Sequence, residues 1–129
     1  MNTKILMVLS VVVLWFLGLV FSFIPSELMK YLNIDLNGIN ILLLQILGAL
    51  YLGFAILNWM LRKTTIGWIY NRPLMIANLM HFAMSAIAIL KSASSIEWYA
   101  GIIIWLTIIY SLFAISFAYI CFFSTSTSK

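Results

Sequence analysis

The side chains of this chain that could do chemistry lie on two helical faces inside apolar segments. One face carries Tyr51, Asn58 and Arg62, spaced by seven and four residues, and the other carries Asn78 and His81, spaced by three. Such spacings place each set on one side of an α-helix. Amide, imidazole, phenol and guanidinium groups all form hydrogen bonds, and they are costly to bury in hydrocarbon. Their positions therefore indicate either a binding site or hydrogen bonds between helices.

These residues do not match a common catalytic centre. All three acids, Glu27, Asp35 and Glu97, fall outside the apolar segments, and His81 is the single histidine. Carboxylate-driven ion coupling, a haem with two histidine ligands and a di-iron carboxylate site therefore lack the groups they need. Cys121 is the single cysteine, so no internal disulfide can form. We expect a protein that is not an enzyme and holds no metal or cofactor.

Four apolar segments must position the polar side chains. They cover residues 5–24, 39–61, 74–90 and 98–123 and contain 20, 23, 17 and 26 residues. About 20 apolar residues cross the hydrocarbon core as a helix, and only helices or closed barrels can span it. The segments are continuously apolar, without the alternation of a barrel strand. The sequence predicts an all-α, polytopic integral membrane protein, with a four-transmembrane-helix bundle as a single membrane domain over residues 1–129.

The connection between the first two spans also has a predicted structure. Pro25 is expected to end the first span. Residues 26–33 place three apolar side chains on one helix face, namely Leu28, Met29 and Leu32. The pattern predicts a short interfacial helix over residues 26–33 on the outer surface, followed by a turn at Asn37-Gly38 into the second span.

The distribution of charge predicts the orientation. The two termini and the middle loop together carry five basic residues and no acid, whereas the first and third loops carry two basic residues and all three acids. Basic residues concentrate in short cytoplasmic loops, so both termini are predicted to be cytoplasmic. Because the net charge of +4 comes from segment ends rather than a clustered face, nucleic acid is not an expected partner.

The two polar faces have two interpretations. If they meet between spans two and three, Tyr51, Asn58, Arg62, Asn78 and His81 form a site for a lipid-like or small amphipathic ligand. Arg62 would then meet the polar head and Tyr51 would line the apolar end. Alternatively, the amide and imidazole groups only join helices by hydrogen bonds.

Two further functions remain open beside ligand binding. An accessory or structural subunit of a larger membrane complex would use its small-residue faces, such as Ala49-x-x-x-Gly53, against a membrane-protein partner or a second copy. An oligomeric channel or transporter component would line its path with side chains such as Asn78 and His81 from several subunits.

Residues 25–59 carry a recognisable pattern. Pro25 precedes a short helix, and Gln45 stands ahead of Gly48-Ala49 early in the second span. This pattern resembles small, mostly uncharacterised bacterial four-span membrane proteins, broadly the DoxX-like group. The resemblance implies a four-span bundle in the bacterial inner membrane that acts as an accessory subunit or a ligand-binding bundle.

Overall fold

The chain is helical in a computed structural model, which describes residues 3–63, 72–93 and 100–123. Within these ranges it forms five α-helices and no β-strand: α1 (Thr3–Phe23), α2 (Pro25–Tyr31), α3 (Gly38–Leu61), α4 (Arg72–Ala93) and α5 (Ala100–Phe123). Helices α1, α3, α4 and α5 are long and apolar enough to cross a membrane. The predicted all-α, multi-pass fold with four spanning helices is confirmed.

The helix ends fall close to their predicted positions. Helix α2 begins at Pro25, one residue before the predicted start, because proline fits the first turn, where its missing N–H is not needed. Helix α4 begins at Arg72, with Pro73 in its first turn, two residues before the predicted span. The predicted start of the fourth span at Trp98 and residues 64–71 of the middle loop lie outside the described residues.

The chain divides into two compact units. We call residues 2–62, with α1, α2 and α3, the N-terminal unit, and the part from residue 63 onward, with α4 and α5, the C-terminal unit. Each unit has its own core.

The N-terminal unit is built on a close crossing of α1 and α3 at Gly18 and Gly48. A Cβ added to Gly18 would lie 3.0 Å from the carbonyl oxygen of Gly48, and one added to Gly48 would lie 2.9 Å from that of Gly18. The two backbones therefore touch directly, an approach that only small residues permit. Ser10, eight residues before Gly18 on α1, is hydrogen-bonded to Asn58, ten residues after Gly48 on α3. The two helices therefore run antiparallel.

The C-terminal unit has an aromatic core between α4 and α5. Phe82 of α4 is fully buried, and its ring lies 4.7 Å from Phe113, 5.7 Å from Phe117 and 5.3 Å from Tyr110, measured between centroids. The three partners are spaced by three and four residues, so they share one face of α5. Stacked and edge-to-face aromatic pairs of this kind each contribute about 0.5–1.5 kcal/mol beyond their buried area.

The glycine crossing predicts opposite effects for two alanine substitutions on α3. In Gly48→Ala the new Cβ would lie 2.8 Å from the backbone nitrogen of Ser22 and 2.9 Å from the carbonyl oxygen of Gly18, so the helices must separate. We expect the free energy of unfolding to fall by about 1–3 kcal/mol, the usual cost of overpacking. Titration with a denaturing detergent in mixed micelles measures this change.

The matched control is Gly53→Ala on the same helix. A Cβ at Gly53 meets no atom of the described residues within 4 Å. Because alanine favours a helix over glycine by up to about 1 kcal/mol, we expect unchanged or slightly raised stability. Equal losses in the two variants would contradict the proposed backbone contact at Gly18 and Gly48.

Candidate functional site

One polar face predicted from the sequence is the buried face of α3. Gly48, Tyr51, Ala55 and Asn58, spaced by three, four and three residues, are the buried residues of that helix. Gly48 meets Gly18, and the ring of Tyr51 lies 5.6 Å from that of Phe21, both on α1. Within the N-terminal unit this face therefore packs against α1.

Asn58 takes part in a chain of hydrogen bonds between α3 and α1. Its Nδ2 donates to Ser10 Oγ at 3.0 Å, and the Ser10 hydroxyl donates to the carbonyl oxygen of Met7 at 2.8 Å. All three residues have an exposed fraction of 0%. A buried amide bound in this way holds two helices together in hydrocarbon, as the structural interpretation of the polar face expects.

Arg62 lies just after the last residue of α3, at the end opposite α2. Its guanidinium group stands 3.5 Å from the centroid of the Trp59 ring and donates a hydrogen bond to the carbonyl oxygen of Trp59. Stacking of arginine on tryptophan is a favourable cation–π contact. The charge is thus held close to its own helix end.

Asn78 and His81 belong to the C-terminal unit. Asn78 is fully buried, and its Nδ2 donates to the carbonyl oxygen of Leu74 at 2.9 Å, one turn earlier on α4. The His81 ring lies 5.1 Å from Phe82 and 5.9 Å from Tyr110, beside the aromatic core. A ligand site shared by all five predicted residues would combine both units, and it stays a prediction.

The Asn58–Ser10 hydrogen bond predicts a measurable coupling between the two residues. We expect a double-mutant cycle of Ser10→Ala and Asn58→Leu to give a coupling free energy of about 0.6 kcal/mol and at most about 1.7 kcal/mol, the range found between membrane helices. Unfolding in mixed micelles gives the four free energies that the cycle needs.

Ser22→Ala serves as the control for this cycle. Ser22 lies on the same helix, about 18 Å further along its axis than Ser10, so its substitution should be additive with Asn58→Leu. If the effects of Ser10→Ala and Asn58→Leu on the free energy of unfolding add as fully as those of Ser22→Ala and Asn58→Leu, the buried amide does not join the helices.

A cleft that the sequence did not predict opens beside α2, at the other end of the N-terminal unit. It has a volume of about 380 Å³. Eight apolar residues and one amide line the cleft. They belong to α1, to α2, to the segment after α2 and to α3, and they are Phe21, Leu28, Met29, Leu32, Ile34, Asn40, Leu43, Leu44 and Leu47. Along α3 the lining runs from Asn40 to Leu47, a depth of about 10 Å at 1.5 Å per residue.

The end of α2 positions one wall of this cleft. Asn33 has a φ of 49°, in the left-handed region that asparagine tolerates better than most residues. The N–H groups of Asn33 and Ile34 donate to the carbonyl oxygens of Lys30 and Met29 at 3.1 and 3.0 Å. This is a Schellman motif, which usually brings the residue after the turn against the last helical turn. Here Ile34 and Met29 both line the cleft.

The start of α3 fixes the polar edge of the cleft. Asn37, at the predicted turn, caps the helix, since its side chain accepts a hydrogen bond from the backbone N–H of Asn40 at 2.8 Å. The carbonyl oxygen of Asp35 accepts from the N–H of Asn37 at 3.0 Å and from Asn40 Nδ2 at 3.2 Å. The backbone of Asp35 is therefore tied to Asn40, a lining residue.

Helix α3 also has a polar and small face that is not used within the N-terminal unit. Gln45, Ala49 and Gly53 follow one another at four-residue intervals, and all three are exposed. The predicted Ala49-x-x-x-Gly53 spacing is therefore not the contact with α1, which uses Gly48 instead.

Comparisons of the chain with protein-family models, with curated proteins and with solved structures find no match. The likeness of residues 25–59 to the DoxX-like group therefore stays a prediction. Within the described residues, no group of three or more histidine, cysteine, aspartate or glutamate side chains is placed to hold a metal ion.

Proposed function

We propose that the protein is a non-catalytic, multi-pass protein of the bacterial inner membrane that binds a lipid-like molecule in the cleft beside α2. The cleft itself is the observation that carries this proposal. Its volume of about 380 Å³ falls in the usual range of about 300–1,000 Å³ for small-molecule sites. Eight apolar lining residues with one amide suit an alkyl chain that ends in a polar group.

The position of α2 supports a ligand taken from the membrane. Met29 is 2% exposed and faces the unit, whereas Glu27, Lys30 and Tyr31 are exposed. A helix with one buried apolar face and one charged face is typical of the membrane–water interface. An amphiphile with its chain in the cleft would therefore have its head at the level of α2.

The charge distribution supports the proposed orientation. Five basic residues on the side of the termini and the middle loop, against two on the other, favour cytoplasmic termini. Helix α2 and the cleft then lie at the outer surface of the inner membrane, and Arg62 with Lys63 lies at the cytoplasmic surface. The ligand would enter from the outer leaflet.

Filling the cleft tests the proposal. Leu44 lines the cleft, and Leu44→Trp adds bulk inside it. Leu42→Trp is the matched control, because Leu42 is 55% exposed and is not part of the lining. We expect native mass spectrometry from a mild detergent to find lipid retained by the unmodified protein and by Leu42→Trp. Retention by Leu44→Trp should fall about tenfold, equivalent to about 1.4 kcal/mol.

Equal retention in all three proteins would refute binding in the cleft. Circular dichroism and thermal unfolding in the same detergent accompany the comparison. Both variants should keep their helix content, because neither residue lies at the Gly18–Gly48 contact.

The exposed face of α3 favours a second function, that of an accessory subunit. An amide such as that of Gln45 is costly to leave in hydrocarbon, and it gains a hydrogen bond when another helix covers it. Ala49 and Gly53 beside it would allow that helix to come close. The partner would be another membrane protein or a second copy of the chain.

Crosslinking in intact membranes tests the accessory role. We expect a specific crosslinked species that disappears in Gly53→Leu, because the leucine side chain would hold the partner helix away. Gly101→Leu on α5 is the control, since a Cβ there also meets no atom of the described residues within 4 Å. A crosslinking pattern unaffected by Gly53→Leu would count against a partner on this face.

A further inference from the structure

Three charged residues, which we call the rim, adjoin residues of the cleft lining in sequence. Glu27 and Lys30 on α2 and Asp35 after it are all exposed, and each is the sequence neighbour of a lining residue. The rim thus has two carboxylates and one ammonium group. A ligand head at this level meets a mixed, slightly acidic set of charges.

The backbone of two of these three residues, Lys30 and Asp35, accepts hydrogen bonds at the end of α2 and the start of α3. The carbonyl oxygen of Lys30 accepts a hydrogen bond in the Schellman motif that ends α2, and that of Asp35 accepts two at the start of α3. The side chains themselves are exposed, so their charges are available to a head group. Along the chain, Lys30 therefore precedes and Asp35 follows Ile34, a residue of the cleft wall.

Discrimination between membrane lipids must come from this rim. Lipid tails are as apolar as leucine, so moving an acyl chain from the bilayer into the cleft gives no hydrophobic gain. Different phospholipids share the same tails and differ in their heads. Two carboxylates disfavour a purely anionic head, and Lys30 favours a phosphate.

We infer that the cleft binds a zwitterionic phospholipid, whose phosphate lies at Lys30 and whose ammonium group lies at Asp35. The carboxylate of Glu27 adds to the negative field that attracts the ammonium group. This inference rests on the proposed function, because it names the class of lipid that the cleft selects. Opposite charges paired at the interface orient the head while the chain fills the apolar wall.

Lipid competition tests the inference. The detergent-solubilised protein is mixed with equal amounts of phosphatidylethanolamine and phosphatidylglycerol of identical acyl chains, and native mass spectrometry gives the ratio retained. We expect phosphatidylethanolamine to be preferred about threefold, in line with the modest strength of exposed ion pairs. Asp35→Asn should abolish the preference, and Asp35→Lys should reverse it towards phosphatidylglycerol.

Thr3→Lys is the control for net charge. It adds one positive charge, as Asp35→Asn does, but at the far end of α1, about 27 Å along the helix from Phe21 of the cleft. The preference should survive this change. Loss of the preference in Thr3→Lys as well would overturn the role of Asp35.

The outcomes separate this inference from the proposed function. Equal retention of both lipids by the unmodified protein, with loss of both in Leu44→Trp, would overturn the head-group selection and leave the cleft as a lipid site. Retention of neither lipid would overturn both. Substitution of Asp35 should not disturb the fold, because its carbonyl rather than its carboxylate makes the hydrogen bonds to Asn37 and Asn40.

Discussion

The backbone contact of Gly18 with Gly48 is the constraint on which the N-terminal unit depends. Between helices in lipid there is no hydrophobic driving force, so association needs close van der Waals packing and hydrogen bonds. The glycine pair supplies the close approach, and the buried Asn58–Ser10 hydrogen bond fixes the same two helices further along. The cleft begins immediately beyond the contact, since Leu47 precedes Gly48 and Phe21 lies one turn after Gly18. The cleft thus lies next to the crossing of α1 and α3.

Most of the fold could be predicted from the sequence because it depends on local pattern. Four long apolar runs, the proline at residue 25 and the turn at Asn37-Gly38 each have a direct physical meaning. Within the described residues, the corresponding helices begin and end within a few residues of the predicted bounds; the predicted start of the fourth span lies outside those residues. Which small residues make the helix contact could not be predicted, because Gly48 and the pair Ala49 and Gly53 offer equally good faces on α3. Only the shape of α1, with Gly18 at the matching height, decides between them.

The site was harder to predict than the fold. Helical spacing places Tyr51 and Asn58 on one face of α3, and that face is buried, but the spacing does not indicate which helix covers it. In the N-terminal unit α1 contributes Phe21 and Ser10, neither of which belongs to the predicted set. The cleft had no sequence signal of its own. The left-handed backbone of Asn33 ends α2 and the cap at Asn37 begins α3. Between them, the chain places Ile34 in the lining of the cleft.

Polar groups consequently have two different uses in this chain. The amide of Asn58 is buried between α1 and α3, and its hydrogen bond to Ser10 joins the two helices. The charged residues Lys30 and Asp35 are exposed, and their backbone carbonyl groups accept the hydrogen bonds that end α2 and begin α3. Because an apolar cleft cannot distinguish one lipid tail from another, the head-group selection that we propose would depend on these exposed charges.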